Sequence, residues 1–179
     1  MGGRASTAPA TRTKWPNCFR FLMRLTLLTP GKLRLPWIRE GCEVYLDRLQ
    51  HYAPLKTLEV KEEPVIRSAD PLQVKRKEAE RLLEKLPDGA LLVALDEHGA
   101  SMTSVELARW LSRHRDAGQK EVAFVIGGPL GLAPELLTRA SLKLSLSAMT
   151  LPHEIVRLVL LEQIYRAFTI LNGEPYHNP

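Results

Sequence analysis

Three short stretches hold residue types that can do chemistry, and each follows a strongly apolar run. They are Leu95-Asp96-Glu97-His98-Gly99, Gly127-Gly128-Pro129-Leu130-Gly131, and the segment from Ser145 through Ser147, Thr150, Leu151 and Pro152 to His153. Three glycines around a proline let backbone come close to a ligand and permit positive φ. That suits a nucleotide or nucleoside cradle, and it suits a tight strand-to-helix turn as well. The loop is not G-x-G-x-x-G, and no acidic residue stands ~20 residues on to contact a ribose. It also lacks the Lys-Ser/Thr pair of a phosphate-binding loop. NTPase and dinucleotide chemistry are therefore disfavoured.

The third stretch points to a helix beginning near His153. Positive potential at a helix N-terminus lowers a histidine pKa, leaving the ring neutral and able to accept a proton. A simple cap is the other reading. Arg157 and Arg166 stand among apolar residues further along and are suited to a phosphate or a developing anion. Glu154 and Glu162 lie three and four residues before them, so ion pairs within the helix fit equally. Tyr176-His177 after Pro175 reads as a docked functional tail or as a frayed end. Asp96 and His98 suggest acid–base work. Near them stand no serine elbow, no Cys/His pair and no metal-ligand spacing, so hydrolase and metal chemistry find little support.

The elements that must position these residues alternate. Apolar runs at 23–29, 55–60, 90–95 and 121–126 read as strands, and 142–146 reads as a half-buried fifth, with Lys143 and Ser145 on its wet side. Helical spacing of Ile38, Cys42, Tyr45 and Leu49 predicts a helix over 36–50. Another is expected over 71–86, with a large solvated face. Thr103-Ser104-Val105-Glu106 matches a capping box and opens a helix to about 114. A short helix over 134–140 starts on Pro134. A long apolar helix over 154–171 stops before Gly173. Five strands separated by helices imply an α/β sandwich around a mainly parallel sheet. In such a sheet ligands gather at the carboxyl ends of strands, where all three stretches lie.

Composition narrows the function. Of 25 basic side chains, Arg4, Arg12, Lys14 and Arg20 fall in residues 1–22, which hold no acid. The remaining 157 residues carry 21 basic and 20 acidic groups, so RNA affinity there needs a local patch or a pooled surface. Residues 1–22 read as a disordered arm, an organelle transit peptide or an upstream extension, and 23–179 as a single domain. Two cysteines make no disulfide framework, which suits a reducing, cytoplasmic setting. No run of 18 apolar residues predicts a membrane helix.

Phe124–Leu132, Leu144–His153, Val156-Arg157 through Glu162–Arg166, and Pro175–His177 together resemble the RlmH family. These are SPOUT-class methyltransferases acting on N3 of a pseudouridine in large-subunit ribosomal RNA. The likeness spans Met23–His177 and leaves residues 1–22 without a counterpart. Leu130 replaces a residue that is often acidic or small and polar in the family, and Met149 replaces the usual Leu. The resemblance implies a SPOUT-like fold with a C-terminal trefoil knot, a homodimer, and S-adenosylmethionine as cofactor. It implies cofactor contacts at Leu95, Gly127 and Gly128 and along Leu146, Ser147, Ala148, Met149, Thr150, Leu151 and Pro152. The substrate it implies is rRNA in an assembled ribosome, and a chain this small and nearly neutral is consistent with that. His153, Arg157, Tyr176 and His177 become candidates for catalysis. Two rival readings are a non-catalytic ribosome-associated factor and a nucleotide-binding module in an unknotted α/β fold.

Overall fold

Five strands form one parallel sheet in the order β2-β1-β4-β3-β5, comprising β1 (Arg24–Pro30), β2 (Leu55–Val60), β3 (Leu91–Ser101), β4 (Glu121–Val125) and β5 (Leu142–Ser145). The helices are α1 (Pro36–Leu49), α2 (Pro71–Glu84), α3 (Ser104–Asp116), α4 (Pro134–Arg139) and α5 (His153–Leu171). This computed structural model describes residues 23–66 and 70–178. The arm expected over 1–22 lies outside the described residues.

Side chains alternate across the strands, as period-2 geometry requires. Leu25, Leu27, Val93, Phe124 and Leu144 face one core with α1, α3 and α5. Leu28, Leu92, Ala94, Ala123 and Val125 face the other with α2 and α4. α5 packs against both α1 and α3 and so fills the middle of its layer. Its Leu160, Leu161 and Ile164 are at most 1% exposed. Burial of each contributes about 1.5–3 kcal/mol.

Helix starts follow local chemistry. Pro36, Pro71 and Pro134 open α1, α2 and α4, where a missing N–H is harmless. The Asp70 side chain accepts the Leu72 N–H at 3.0 Å. The capping box of α3 forms as expected, with Thr103 accepting from Glu106 N–H and Glu106 accepting from Thr103 N–H.

Two expectations change. β3 does not stop at Leu95 but resumes at Ala100 and Ser101, pairing again with Leu144 and Ser145. Asp96–Gly99 bulge out between the two paired segments. Ser145 is buried rather than wet, because its hydroxyl donates to the Ser147 carbonyl at 2.9 Å. Among the described residues, no helix is long and apolar enough to cross a membrane.

Candidate functional site

The carboxyl ends of β3, β4 and β5 converge on a cavity of 760 Å³. Because the strands are parallel, three loops open on the same edge. From β3 come Leu95 and the bulge at Asp96, Glu97 and His98. Gly99 closes that bulge against the Lys143 carbonyl. A Cβ there would stand 2.6 Å from this oxygen, so only glycine fits.

From β4 comes the glycine loop. The Ile126 N–H donates to the Leu28 carbonyl at 2.9 Å and fixes its start. The Gly131 N–H closes it on the Gly128 carbonyl at 2.9 Å, and Gly131 has φ +83°. A Cβ on Gly127 would lie 2.6 Å from the Gly131 carbonyl carbon and 2.8 Å from the Leu132 nitrogen. A Cβ on Gly128 would lie 2.7 Å from Oε2 of Glu78. The first glycine makes room for backbone, the second for a buried carboxyl group.

From β5 comes the segment Leu146–Pro152. The Met149 N–H donates to the Ser147 hydroxyl at 2.9 Å, folding a tight turn. Thr150 donates to Glu97 Oε2 at 2.6 Å, which ties this loop to the β3 bulge. Leu146, Ser147, Met149, Thr150, Leu151 and Pro152 line the cavity together with Leu95, Gly127 and Gly128. Ala148 does not line it.

His153, at the start of α5, also lines the cavity. Burial and the nearby Arg157 charge push its pKa below 6.5, so the ring is neutral at pH 7. The neighbouring Glu154 and Arg157 do not pair with each other. The Glu154 carboxylate accepts the backbone N–H groups of Arg34 and Leu35 at 3.0 and 3.2 Å. Arg157 is 1% exposed and donates to the Pro30 carbonyl at 2.8 Å, the Gly31 carbonyl at 2.7 Å and Glu59 at 3.1 Å. This guanidinium caps the end of β1 and lies outside the cavity lining. The expected Glu162–Arg166 pair does form, at 2.6 Å.

Tyr176 and His177 sit elsewhere. The Tyr176 hydroxyl lies 3.2 Å from Glu162 and 3.4 Å from the Tyr45 hydroxyl, and Arg166 stacks on its ring at 4.7 Å. Burial and these neighbours push the Tyr176 pKa up. Nδ1 of His177 is buried without a partner. Glu162 is nine residues beyond His153, about 14 Å along a helix. Within one chain the tail and the cavity are therefore apart.

Glu78 carried no sequence signal as a site residue. It sits in the charged run Lys75-Arg76-Lys77-Glu78-Ala79-Glu80-Arg81, which reads as a solvated face. Only the 3.6-residue period shared with Val74 and Leu82 hints that it turns inward.

Comparison with known proteins agrees with this architecture. A family model described as "Predicted SPOUT methyltransferase" matches residues 23–177. A protein of Geobacter sp. (strain M21) named "Ribosomal RNA large subunit methyltransferase H" is 49% identical over 156 residues, covering 87% of this chain and 99% of that protein. A protein of the same name from Acetivibrio thermocellus is 48% identical over 158 residues, with coverage of 87% and 99%. Among solved structures, a probable methyltransferase from Bordetella pertussis Tohama I superposes with TM-score 0.54 at 15% identity, covering 82% of this chain and 97% of that one. At that identity the likeness concerns the fold alone. A match across nearly the whole described domain, joined to near full-length relatives, shows that the chain belongs to the SPOUT methyltransferase family.

Proposed function

We propose that the chain is an S-adenosylmethionine-dependent methyltransferase that modifies N3 of a pseudouridine in large-subunit ribosomal RNA, acting on the assembled ribosome in the cytoplasm. The observation that carries this reading is the cavity at the three strand ends, in a chain 49% identical to a protein named for large-subunit rRNA methylation. The trefoil knot and the homodimer implied by the family resemblance belong to the same proposal.

The cavity fits the cofactor. Its 760 Å³ falls within the ~300–1,000 Å³ of small-molecule sites. Its walls include Gly127–Leu132 and most of Leu146–Pro152, whose backbone groups can hold a nucleoside edge without an acidic ribose ligand. Leu95, Gly127, Gly128, Leu146, Ser147 and Met149–Pro152 would hold the cofactor. When bound, it supplies a methyl group activated on a cationic sulfur.

The chain's own residues align the acceptor and manage its proton. Displacement at a methyl carbon needs an in-line approach in a water-poor site. Neutral His153 in the cavity wall is the group we assign to take the proton from the acceptor ring nitrogen. Arg157 is assigned a positioning role, because its donors are held by β1 carbonyls and Glu59.

Tyr176 and His177 are assigned to substrate contact across a dimer. Their distance from the cavity of their own chain supports a homodimer in which the tail of one protomer faces the cavity of its partner. An apolar stripe supports it further. Leu35, Trp37 and Val44 are exposed, and Gly41 between them packs on Leu158 of α5. Such a stripe marks an interaction surface.

Two experiments test the reading. Mass mapping of ribosomal RNA from cells lacking the protein should reveal one pseudouridine without its methyl group, and unchanged rRNA refutes the substrate. Mixing a Gly127→Ala protomer with one truncated after Gly173 should restore methylation that neither has alone. Failure of mixed dimers to recover it refutes the shared site.

A further inference from the structure

Glu78 is 3% exposed on the sheet-facing side of α2, beside Val74 and Leu82. Its Oε1 accepts the Glu63 N–H at 2.9 Å. Its Oε2 presses on Gly128, in the place a side chain would occupy. Three of the cations around it are engaged elsewhere, and the fourth, Lys75, lines the cavity. Arg81 is held by Glu63 at 2.7 Å and by the Lys61 carbonyl at 2.9 Å. Lys77 is held by Glu63 at 3.3 Å, and Arg34 by Glu62. Lys75 Nζ lies above Gly131, 4.0 Å from where its Cβ would be, and not on Glu78. Among the described residues no cation stands within ion-pair distance of Glu78. A buried carboxylate without a counter-ion is expensive, and an apolar residue of similar volume would pack there more favourably. The charge stands directly behind the backbone that forms the cavity wall.

We infer that Glu78 is a specificity-determining residue of the cavity: its carboxylate favours a ligand bearing a sulfonium charge over the neutral thioether that remains after methyl transfer. The inference rests on the reading of the cavity as the S-adenosylmethionine site. In the transfer the methyl carbon bonds to the acceptor nitrogen, and the carbon–sulfur electron pair stays on sulfur. The acceptor proton leaves to a base. The cavity thus trades a cation for a neutral molecule. Attraction to the carboxylate is present before transfer and absent after it, which favours substrate cofactor over product.

A linkage follows. Burial, with the Glu62 charge adding to it, raises the Glu78 pKa against the Glu63 N–H bond and the Arg81 charge, which lower it. A cationic ligand pulls it back down, so binding in mildly acidic solution releases a proton, whereas the thioether releases none. His153 gains charge as pH falls, and Lys75, Asp96, Glu97 and His98 line the same cavity, so the wild-type pH profile is not that of Glu78 alone. A Glu78→Gln variant separates its part.

The experiment is calorimetry of S-adenosylmethionine and S-adenosylhomocysteine binding to the wild-type protein and to Glu78→Gln, from mildly acidic to neutral pH. The variant should weaken the sulfonium ligand about tenfold at neutral pH and leave the thioether within about twofold. Equal weakening of both ligands, or of neither, overturns the inference and leaves Glu78 a prop for the loop. A wild-type protein that binds neither ligand refutes the cavity assignment instead. If the variant does not fold, carboxyl NMR of the wild-type protein decides. The Glu78 titration should move to lower pH with the sulfonium ligand and not with the thioether, and identical titrations overturn the proposal.

Discussion

Replacing Arg157 by Ala removes three donors at once, and its consequence can be worked from the structure. The guanidinium satisfies the Pro30 and Gly31 carbonyls and pairs with Glu59. A buried acceptor left without a partner costs about 1–3 kcal/mol, which falls mainly on the Gly31 carbonyl, because the Pro30 carbonyl keeps the Thr29 hydroxyl at 3.2 Å. Glu59 retains 33% side-chain exposure, so water takes over part of its loss, and the Gly31 carbonyl and the vacated volume dominate. Breaking a buried charge pair of this kind costs about 3–5 kcal/mol. That is a large fraction of the ~5–15 kcal/mol that holds a domain together. Arg157→Lys keeps the charge but reaches fewer acceptors, and should fall between Ala and wild type. Urea unfolding at fixed protomer concentration measures the loss, because association alters apparent stability. Cofactor affinity at a temperature where the variant is folded should stay within a few-fold of wild type. A variant that loses less than about 1 kcal/mol but more than about a hundredfold in turnover refutes the reasoning and makes Arg157 a catalytic residue.

Three further outcomes are expected. Gly127→Ala forces a Cβ onto the Gly131–Leu132 backbone and should abolish cofactor binding in calorimetry, whereas Gly128→Ala meets only the end of Glu78 and should weaken binding without abolishing it. For His153, the folded pKa lies below the unfolded 6.5, so the unfolded chain binds more protons between the two values. Stability should therefore fall as pH drops through that window, and a His153→Gln variant should lose this part of the slope in urea midpoints measured against pH. Burial pushes the Cys42 thiol up to about 11, so in a Cys18→Ser background Cys42 should resist alkylation until denaturant is added.

Most of the fold was legible because its periods are strong. The runs holding Leu27, Val93 and Phe124 carry apolar residues toward both faces, as strands between two cores must, and the capping residues sit where the helices begin. The continuation of β3 was not, since Asp96-Glu97-His98-Gly99 has the composition of a terminating turn, and only the re-pairing of Ala100 with Leu144 reveals a bulge. The cavity was legible as loops at strand ends, and nine of the ten residues expected to bind a ligand line it. The partners of Arg157 were not, because the guanidinium meets carbonyls 126 and 127 residues away, where helical spacing to Glu154 says nothing. Glu78 was hidden by its neighbours, since five charged residues around it, Lys75, Arg76, Lys77, Glu80 and Arg81, disguise one that turns inward. The separation of His153 from Tyr176 was concealed by chain order, which places both near the end of the sequence without showing that a helix holds them apart.

The position of α5 has a consequence for synthesis. It is last in the chain and central in its layer, between α1 and α3, and it carries Leu160, Leu161, Ile164 and Phe168 into the core. A chain emerging from a ribosome therefore keeps an open trench along one side of its sheet until the final helix is free. Neither the cavity wall at His153 nor the tail at Tyr176 exists before that moment. A premature stop between β5 and the middle of α5 would remove the keystone of the layer, not its fringe, and such a product should be cleared by quality-control proteases without ever binding a ligand.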